Sequence, residues 1–379
     1  MGDRVLADFC DAIIDCAHKT APICEDGDYF AVGTPAMRGN VINYAEARRI
    51  DRVTFDAWTE RLKPRAGDML LAREAPVGPV VRVPEAENVA PGQRTVLIRP
   101  NTDVVDERFL FYYLSSPSCQ AALQVRASGS TVPHLNVADV RRLETPGVPK
   151  RGVQSAIADV LSAIDDKIAA NGRVLGLSRD LARSRYRQAS ASGARTYRLE
   201  DVSAFHNRRR VPLSSNERDE RVGSVPYYGA AGRLDSVDEA IFDERIVLVG
   251  EDGTVICEDG RPVIQYVWGP AWVNNHAHVL TGTSISTEAL RWALDLTNVT
   301  HLVTGAVQPK ISMANLKSLE IAVPTDTSQM ERDIADFAAT ERGLTEESRV
   351  LARTRDELLP LLMSGKVTVK DAEATVAEL

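Results

Sequence analysis

Apolar residues recur in a four–three alternation along two stretches of the chain. In the first, Val153, Ile157, Val160 and Ile164 set the rhythm, and Val174 and Leu181 resume it beyond polar Lys167 and Asn171. A second stripe, Leu161, Ile168, Leu175 and Ala182, repeats every seventh residue beside it. In the second stretch Met330, Ile334, Phe337, Leu344, Leu351, Leu358 and Leu362 keep the same alternation, with Glu341, Ser348 and Arg355 as polar breaks. Repeats of this length and period predict two long helices, each with one seam turned to a partner helix. The two share landmarks: Ile157-Ala158-Asp159 matches Ile334-Ala335-Asp336, and Leu181-Ala182-Arg183 matches Leu351-Ala352-Arg353. The spacing between these landmarks differs by seven residues. That is one heptad, which keeps the seam in register where a loss of five or six residues would rotate it away.

Ahead of each helical stretch the pattern is of short apolar runs punctuated by glycine and proline. Asp68-Met69-Leu70-Leu71 and Arg245-Ile246-Val247-Leu248-Val249, each followed by a glycine-containing turn, read as strands. Phe109 to Leu114 and Glu288 to Leu294 read as short helices. Then come two stretches that echo each other, GSTVPHLNVADVRRLETPGVP from Gly129 to Pro149 and GAVQPKISMANLKSLEIAVP from Gly305 to Pro324. Ala138 aligns with Ala314, Leu143 with Leu319 and Glu144 with Glu320, while Leu135/Ile311, Val140/Leu316 and Arg141/Lys317 agree in type. Pro133 and Pro309 force their predecessors into extended geometry. Asn136 and Ser312 are expected N-caps of a short helix that turns Val140/Leu316 and Leu143/Leu319 inward. The echo is expected to serve as a hinge between a globular part and a long helix.

The order globular–helix–globular–helix is that of an internal duplication. Its expected segments are residues 1–148, a helix over 149–190, residues 195–324, a helix over 325–364, and an acidic tail over 365–379. Ala189-Ser190-Ala191-Ser192-Gly193 is a small-residue linker between the halves.

Composition narrows the class. The 379 residues are 44% hydrophobic and 26% charged, as in an ordinary soluble globular chain. Apolar runs such as Ile246 to Val249 are too short to span a bilayer. The acidic start MGDRVLADFCDAII lacks the features of a signal peptide, so a cytoplasmic location and no membrane partner are expected. The net charge of −8 is unevenly spread: Arg173 to Arg210 holds ten arginines against Asp180, Glu200 and Asp201. A polyanion partner is therefore compatible with the acidic total. The five cysteines form no Cys-x-x-Cys pair and read as reduced thiols, with a zinc site from Cys10, Cys16 and Cys24 as the lesser alternative.

Catalytic constellations are missing. The chain has no Gly-x4-Gly-Lys-Ser/Thr loop, no Gly-x-Gly-x-x-Gly before a helix and no Asn-Pro-Pro-Tyr-like motif. His276 and His278 in WVNNHAHVL read as hydrogen-bonded strand histidines. Glu251, Asp252, Glu258 and Asp259 lack EF-hand spacing and read as a hairpin or turn, with a cation site as the lesser alternative. A binding or scaffolding role follows, with no cofactor on this chain.

Together GSTVPHLN, AIADVLSAIDDKIAANGRV, VPYYGAAGRLD, RIVLVGEDGTV, WVNNHAHVL and LEIAVP resemble the specificity subunit of type I restriction–modification systems, over nearly the whole chain. The resemblance implies an α+β architecture in which two mixed α/β target recognition domains alternate with two long helices that pair as an antiparallel coiled coil. It implies double-stranded DNA as ligand, each domain reading one half of a bipartite asymmetric target. It implies two modification subunits as partners, which hold S-adenosylmethionine and methylate adenine, and a translocating restriction subunit in complexes that also cleave. The second echo departs from the pattern by lacking the Ser, Thr and His of the first. Gly172 and Gly176 inside the first helix cost about 1 kcal/mol each relative to alanine. The alternatives are a protein scaffold without DNA preference and a cryptic nuclease, for which no carboxylate–lysine cluster is evident.

Within that scheme Arg208, Arg209 and Arg210, on a polar loop after the second domain's first strand, are the expected phosphate contacts. Tyr227, Tyr228 and Gly229 are expected to present aromatic rings beside a flexible backbone, with a packed β-turn as the equal alternative. Arg38, Asn40 and Asn43 in MRGNVINY are expected in a comparable loop of the first domain. Val153, Ile157, Val160, Ile164, Ile334, Phe337, Leu344, Leu351 and Leu358 are the expected helix–helix and partner seam.

Overall fold

The run Met69-Leu70-Leu71-Ala72 shows no polar alternation because both faces of its strand are covered. In the computed structural model, which describes residues 4–127, 133–305 and 307–377, Met69 and Leu71 enter one apolar cluster and Leu70 and Ala72 another. The same division splits Val247 and Val249 from Ile246 and Leu248. A strand with a period of two, buried on both sides, reads as a continuous apolar run. Gly129, Ser130, Thr131 and Val132 of the first echo, and Ala306 of the second, lie outside the described residues.

The chain divides into two units, Met1–Ala170 with Glu347–Leu379, and Asn171–Glu346. In the first unit an antiparallel sheet runs in the order Cys10–Asp15, Thr95–Pro100, Met69–Arg73, Val77–Arg82. A smaller sheet pairs Tyr29–Val32 antiparallel with Arg48–Ile50 and parallel with Val89–Pro91. The second unit has an antiparallel sheet in the order Ser203–Phe205, Ala277–Gly282, Ile246–Gly250, Ile264–Val267. Its smaller sheet pairs Val225–Tyr228 antiparallel with Arg233–Val237 and parallel with Pro270–Val273, and Phe242–Asp243 extends it. Helices Glu107–Ser115 and Thr287–Asp295 follow the large sheets, capped by Asp106 and Ser286.

The echo performs the same task in each unit. Leu6 N–H donates to the Leu143 carbonyl and Leu199 N–H to the Leu319 carbonyl, both at 2.8 Å. Leu135 N–H reaches the Arg73 carbonyl, and Ile311 N–H the Glu251 carbonyl. Leu135, Val140 and Leu143 are buried in the first unit, as are Ile311, Leu316 and Leu319 in the second. The basic residue at the aligned position lies against the first strand: Arg141 donates to the Ile13 carbonyl, and Lys317 sits over the Phe205 ring. The echo is thus a clasp that ties the end of each globular part to its beginning, where a hinge was expected.

The long helices run Arg151–Ala191 and Ser328–Met363. Ile157, Val160, Leu161 and Ile164 share a cluster with Leu351, Leu358, Leu359 and Leu362 in the first unit. In the second unit Ala182 and Tyr186 share one with Met330 and Ile334, and Phe337 packs against it. Leu344 is half-buried. In the first unit Asp165 pairs with Arg355 at 2.7 Å and Lys167 with Glu347 at 3.2 Å. In the second, Arg179 pairs with Glu341 and Arg185 with Asp333, both at 2.6 Å.

Three expectations need correction. Val153 is 48% exposed, and Val174 and Leu181 are also exposed, so they leave the seam. A helix of 3.6 residues per turn drifts about 20° per heptad from a seven-residue repeat, and the neighbouring stripe through Leu161 and Ala182 turns inward instead. The boundary between units falls inside both helices, so each helix contributes one part to each unit. Ala189 to Ala191 are helical, and strand Ala194–Arg198 begins directly after Gly193, pairing with Glu320–Pro324. The acidic tail is no free tail. Helix Val369–Ala377 buries Ala372 in the first unit's core, and its start is held by reciprocal hydrogen bonds between Thr368 and Asp371.

Leu319→Ala is expected to destabilise the second unit by about 2–5 kcal/mol, the range for truncating a buried leucine. Leu177→Ala, on a side chain 71% exposed, should stay within about 0.5 kcal/mol. Urea unfolding followed by tryptophan fluorescence distinguishes the two.

Candidate nucleic-acid interface

The connections between paired strands of the small sheets differ most between the units. In the first, residues 33–47 join Tyr29–Val32 to Arg48–Ile50. This connection carries Arg38, exposed and without an ion pair among the described residues. Asn40 is not free to read a ligand: its Oδ1 accepts from Val80 N–H at 3.0 Å, and its φ is +60°. Asn43 closes an Asx-turn by accepting from Ala45 N–H and donates to Glu46. An open cleft of about 790 Å³ lies beside this connection, lined in part by Tyr44, Arg48, Arg49, Gln93 and Arg94. Arg49 donates to the Glu25 carbonyl and Arg94 stands 3.4 Å from Glu74. Arg48 donates to the Ala21 carbonyl and Arg49 also lies 5.9 Å from the Phe30 ring, so both bring positive charge to the wall without a carboxylate partner among the described residues. Sequence reasoning passed over them, although adjacent arginines on so short a strand were a visible signal.

In the second unit the corresponding connection is only Gly229 to Gly232, closed by Gly229 N–H donating to the Gly232 carbonyl. The loops expected to be comparable are therefore not equivalent. Arg38 to Asn43 follow the first strand of a small sheet, whereas Arg208 to Arg210 follow Ser203–Phe205 of the large one. Arg208 is exposed and has no partner among the described residues. Arg209 lies 4.2 Å above the Phe242 ring, donates to the Ile241 carbonyl and pairs with Glu244. Arg210 is 13% exposed, pairs with Glu251 at 2.6 Å and donates to the Asn275 and Ala277 carbonyls. It ties a loop to the sheet and is not available to a phosphate.

Tyr227 is 1% exposed, so the packed alternative describes it. Its hydroxyl accepts from Leu213 N–H and donates to the Leu213 carbonyl, with the Arg218 guanidinium over the ring. Tyr228 is half-buried, and desolvation raises its hydroxyl above the ordinary range. Gly229 is closely confined: a Cβ there would come within 2.6 Å of the Leu234 side chain. Flexible backbone beside presented rings was the wrong picture for Tyr227 and Gly229, because the ring packs against Leu213, Trp272 and Val237.

Three carboxylates of the acidic turn, Glu251, Asp252 and Asp259, have side-chain partners in the second unit. Asp252 bonds His276, Asp259 bonds Arg261, and buried His278 bonds Asn207 and the Ile311 carbonyl. Burial pushes the Glu251 carboxyl up, but the Arg210 hydrogen bond and the nearby Lys310 charge outweigh it and hold it below 4.5. Burial keeps His278 on its neutral side. The thiol of Cys10 is pushed up to about 12 by burial, so it is a poor source of a metal-binding thiolate. Among the described residues only Asp15, Cys16 and His18 approach a metal-like cluster, and Asp15 already bonds the Arg73 guanidinium at 2.9 Å.

The family model for the type I restriction modification DNA specificity domain matches this chain over residues 3–175 and again over 192–337. The chain belongs to that family. Two specificity-domain relatives align over shorter stretches. A Haemophilus influenzae protein described as a type I restriction enzyme specificity subunit is 31% identical over 134 residues, 35% of this chain and 34% of that one. A Mycoplasma genitalium type I specificity subunit is 28% identical over 140 residues, 33% of this chain and 36% of that one. The chain thus spans about a third of the length of these relatives. The crystal structure of the type I restriction–modification S subunit from M. genitalium superposes with a TM-score of 0.57 at 18% identity, over 95% of both chains, a likeness of mixed α+β fold. No helix of the described residues is long and apolar enough to cross a membrane.

Arg210→Gln in this specificity-domain chain should cost roughly 1.5–3 kcal/mol, the range for a hydrogen bond to a charged group. Glu251 is depressed in the folded state, so its contribution is present above its ordinary value of 4.5 and is lost as pH falls through the folded value. Urea unfolding at a series of pH values below 6 should show that acid loss in the parent protein and a flatter profile in Arg210→Gln.

Proposed function

We propose that this chain is the DNA-recognition subunit of a type I restriction–modification complex, with one half of a split, asymmetric target read by each unit. The carrying observation is the contrast between frame and loops. The same strand order, clasp and following helix recur in both units, while the solvent-facing connections share neither length nor residues. A repeated frame with unlike loops is what reading two different half-sites requires. Arg38 and Arg208, with Arg48 and Arg49 on the cleft wall, are the proposed phosphate contacts, which position each unit without specifying sequence.

The chain itself is non-catalytic in this reading. Adenine methylation falls to two modification subunits, which carry S-adenosylmethionine, and cleavage to a restriction subunit where one joins. The proposed recognition domains cover 1–148 and 195–324, and the proposed spacers cover 149–190 and 325–364. The spacers act as an antiparallel coiled coil. Its support is the opposite trend of the ion pairs, in which Asp165 and Lys167 meet Arg355 and Glu347, and Arg179 and Arg185 meet Glu341 and Asp333. Val174, Leu177 and Leu181, spaced by three and four and all exposed, form an apolar stripe suited to a modification subunit.

A methylation map of host DNA is expected to show a split adenine motif that vanishes when the gene is deleted; an unchanged map overturns the reading. Inserting one heptad into both helices, about 10 Å at 1.5 Å per residue, should lengthen the gap by roughly 3 bp at about 3.4 Å each and leave both half-sites alone. An unchanged gap would falsify the ruler role. For the assembled complex, Arg38→Ala and Arg208→Ala should each lower the salt slope of DNA affinity by about 1, with equal effect on matched and mismatched DNA. Loss of discrimination without a change of slope would reassign them to base reading.

A further inference from the structure

In each unit a carboxylate on the long helix that follows the globular part receives two donors, one from that part's own helix and one from the other long helix. In the second unit Glu341 takes the Arg291 guanidinium of helix Thr287–Asp295 at 2.5 Å and the Arg179 guanidinium of the first long helix at 2.6 Å. In the first unit Asp165 takes the Tyr112 hydroxyl of helix Glu107–Ser115 at 2.6 Å and the Arg355 guanidinium of the second long helix at 2.7 Å. The side chains differ and the long helices exchange roles, yet the three-way junction is the same.

We infer that Glu341 and Asp165 are positioning residues for the gap between half-sites: each locks the angle at which its recognition domain stands on the helices. This rests on the bipartite reading proposed above. Glu341 is 4% exposed. Burial raises its carboxyl, but Arg291 and Arg179 more than offset this and keep it charged. Arg291 is itself held over the Tyr266 and Trp292 rings, at 5.2 and 4.6 Å. The two rings and Glu341 hold the guanidinium from different sides, so the contact sets a direction as well as a distance. Charge-assisted, multiply bonded contacts of this kind fix orientation more sharply than apolar packing, which tolerates sliding. Asp295, bonded to Arg183 and Arg261, gives the same domain helix a second attachment. Loss of Glu341 alone should therefore loosen the domain without releasing it.

The test is a methylation map from cells in which the gene carries E341Q. Both half-sites should persist, while methylation at gaps one base pair shorter or longer rises several-fold relative to the native gap. R179Q, at a half-exposed partner, should broaden the gap in the same direction and decides the matter if E341Q fails to accumulate. Val247→Ala, a core truncation in the same unit, should lower methylation at every site without broadening the gap. A single unchanged gap in E341Q or R179Q, or equal broadening in Val247→Ala, overturns the positioning role while leaving the bipartite reading intact. Absence of any split motif with the parent gene would instead overturn the bipartite reading itself.

Discussion

The backbone tie from Leu6 to Leu143, and its counterpart from Leu199 to Leu319, is the constraint on which each unit depends. A domain assembled from a long segment must bring its two ends together before the helix that follows has a fixed origin. The clasp does so with hydrogen bonds in a setting where Leu143 and Leu319 are fully buried. Backbone groups there have no water to turn to, so the tie is costly to break. The sheets, the cleft and the start of each long helix are all referenced to that point.

Charge is used at the next level up. Buried ion pairs add little net stability, because desolvation consumes most of the attraction. Their value lies in geometry: a carboxylate with two guanidiniums in place has few acceptable orientations. The pairs between helices are spread along them, from Asp165–Arg355 to Arg185–Asp333. Apolar packing supplies adhesion, and these pairs supply register.

Much of this frame was legible in the residues. The echo, the strand runs and the two long helices all showed, because each leaves a local periodic or punctuated signature. The interface was less legible. An arginine on a polar loop looks the same whether its partner is solvent or a carboxylate far along the chain: Arg208 is open and Arg210 is committed to Glu251. Tyr227 likewise gave no sign that Leu213 and Trp272, from other segments, would cover it. The seam was legible as a period but not as a phase, since slow drift along a helix of 41 residues carries Val174 and Leu181 to the surface. Arg48 and Arg49 escaped notice because a cleft is a property of several separated segments.

The strands Met69–Arg73 and Ile246–Gly250 stand as party walls, with neighbouring residues belonging to different rooms. Met69 and Leu71 face the cluster shared with the long helices, whereas Leu70 and Ala72 face the one that contains Met37, next to Arg38. Change at one parity is felt by the side that packs on the long helices, and change at the other by the side that carries Met37 and the connection around it. A substitution at one parity is thereby separated from the core on the other face by the thickness of a single strand.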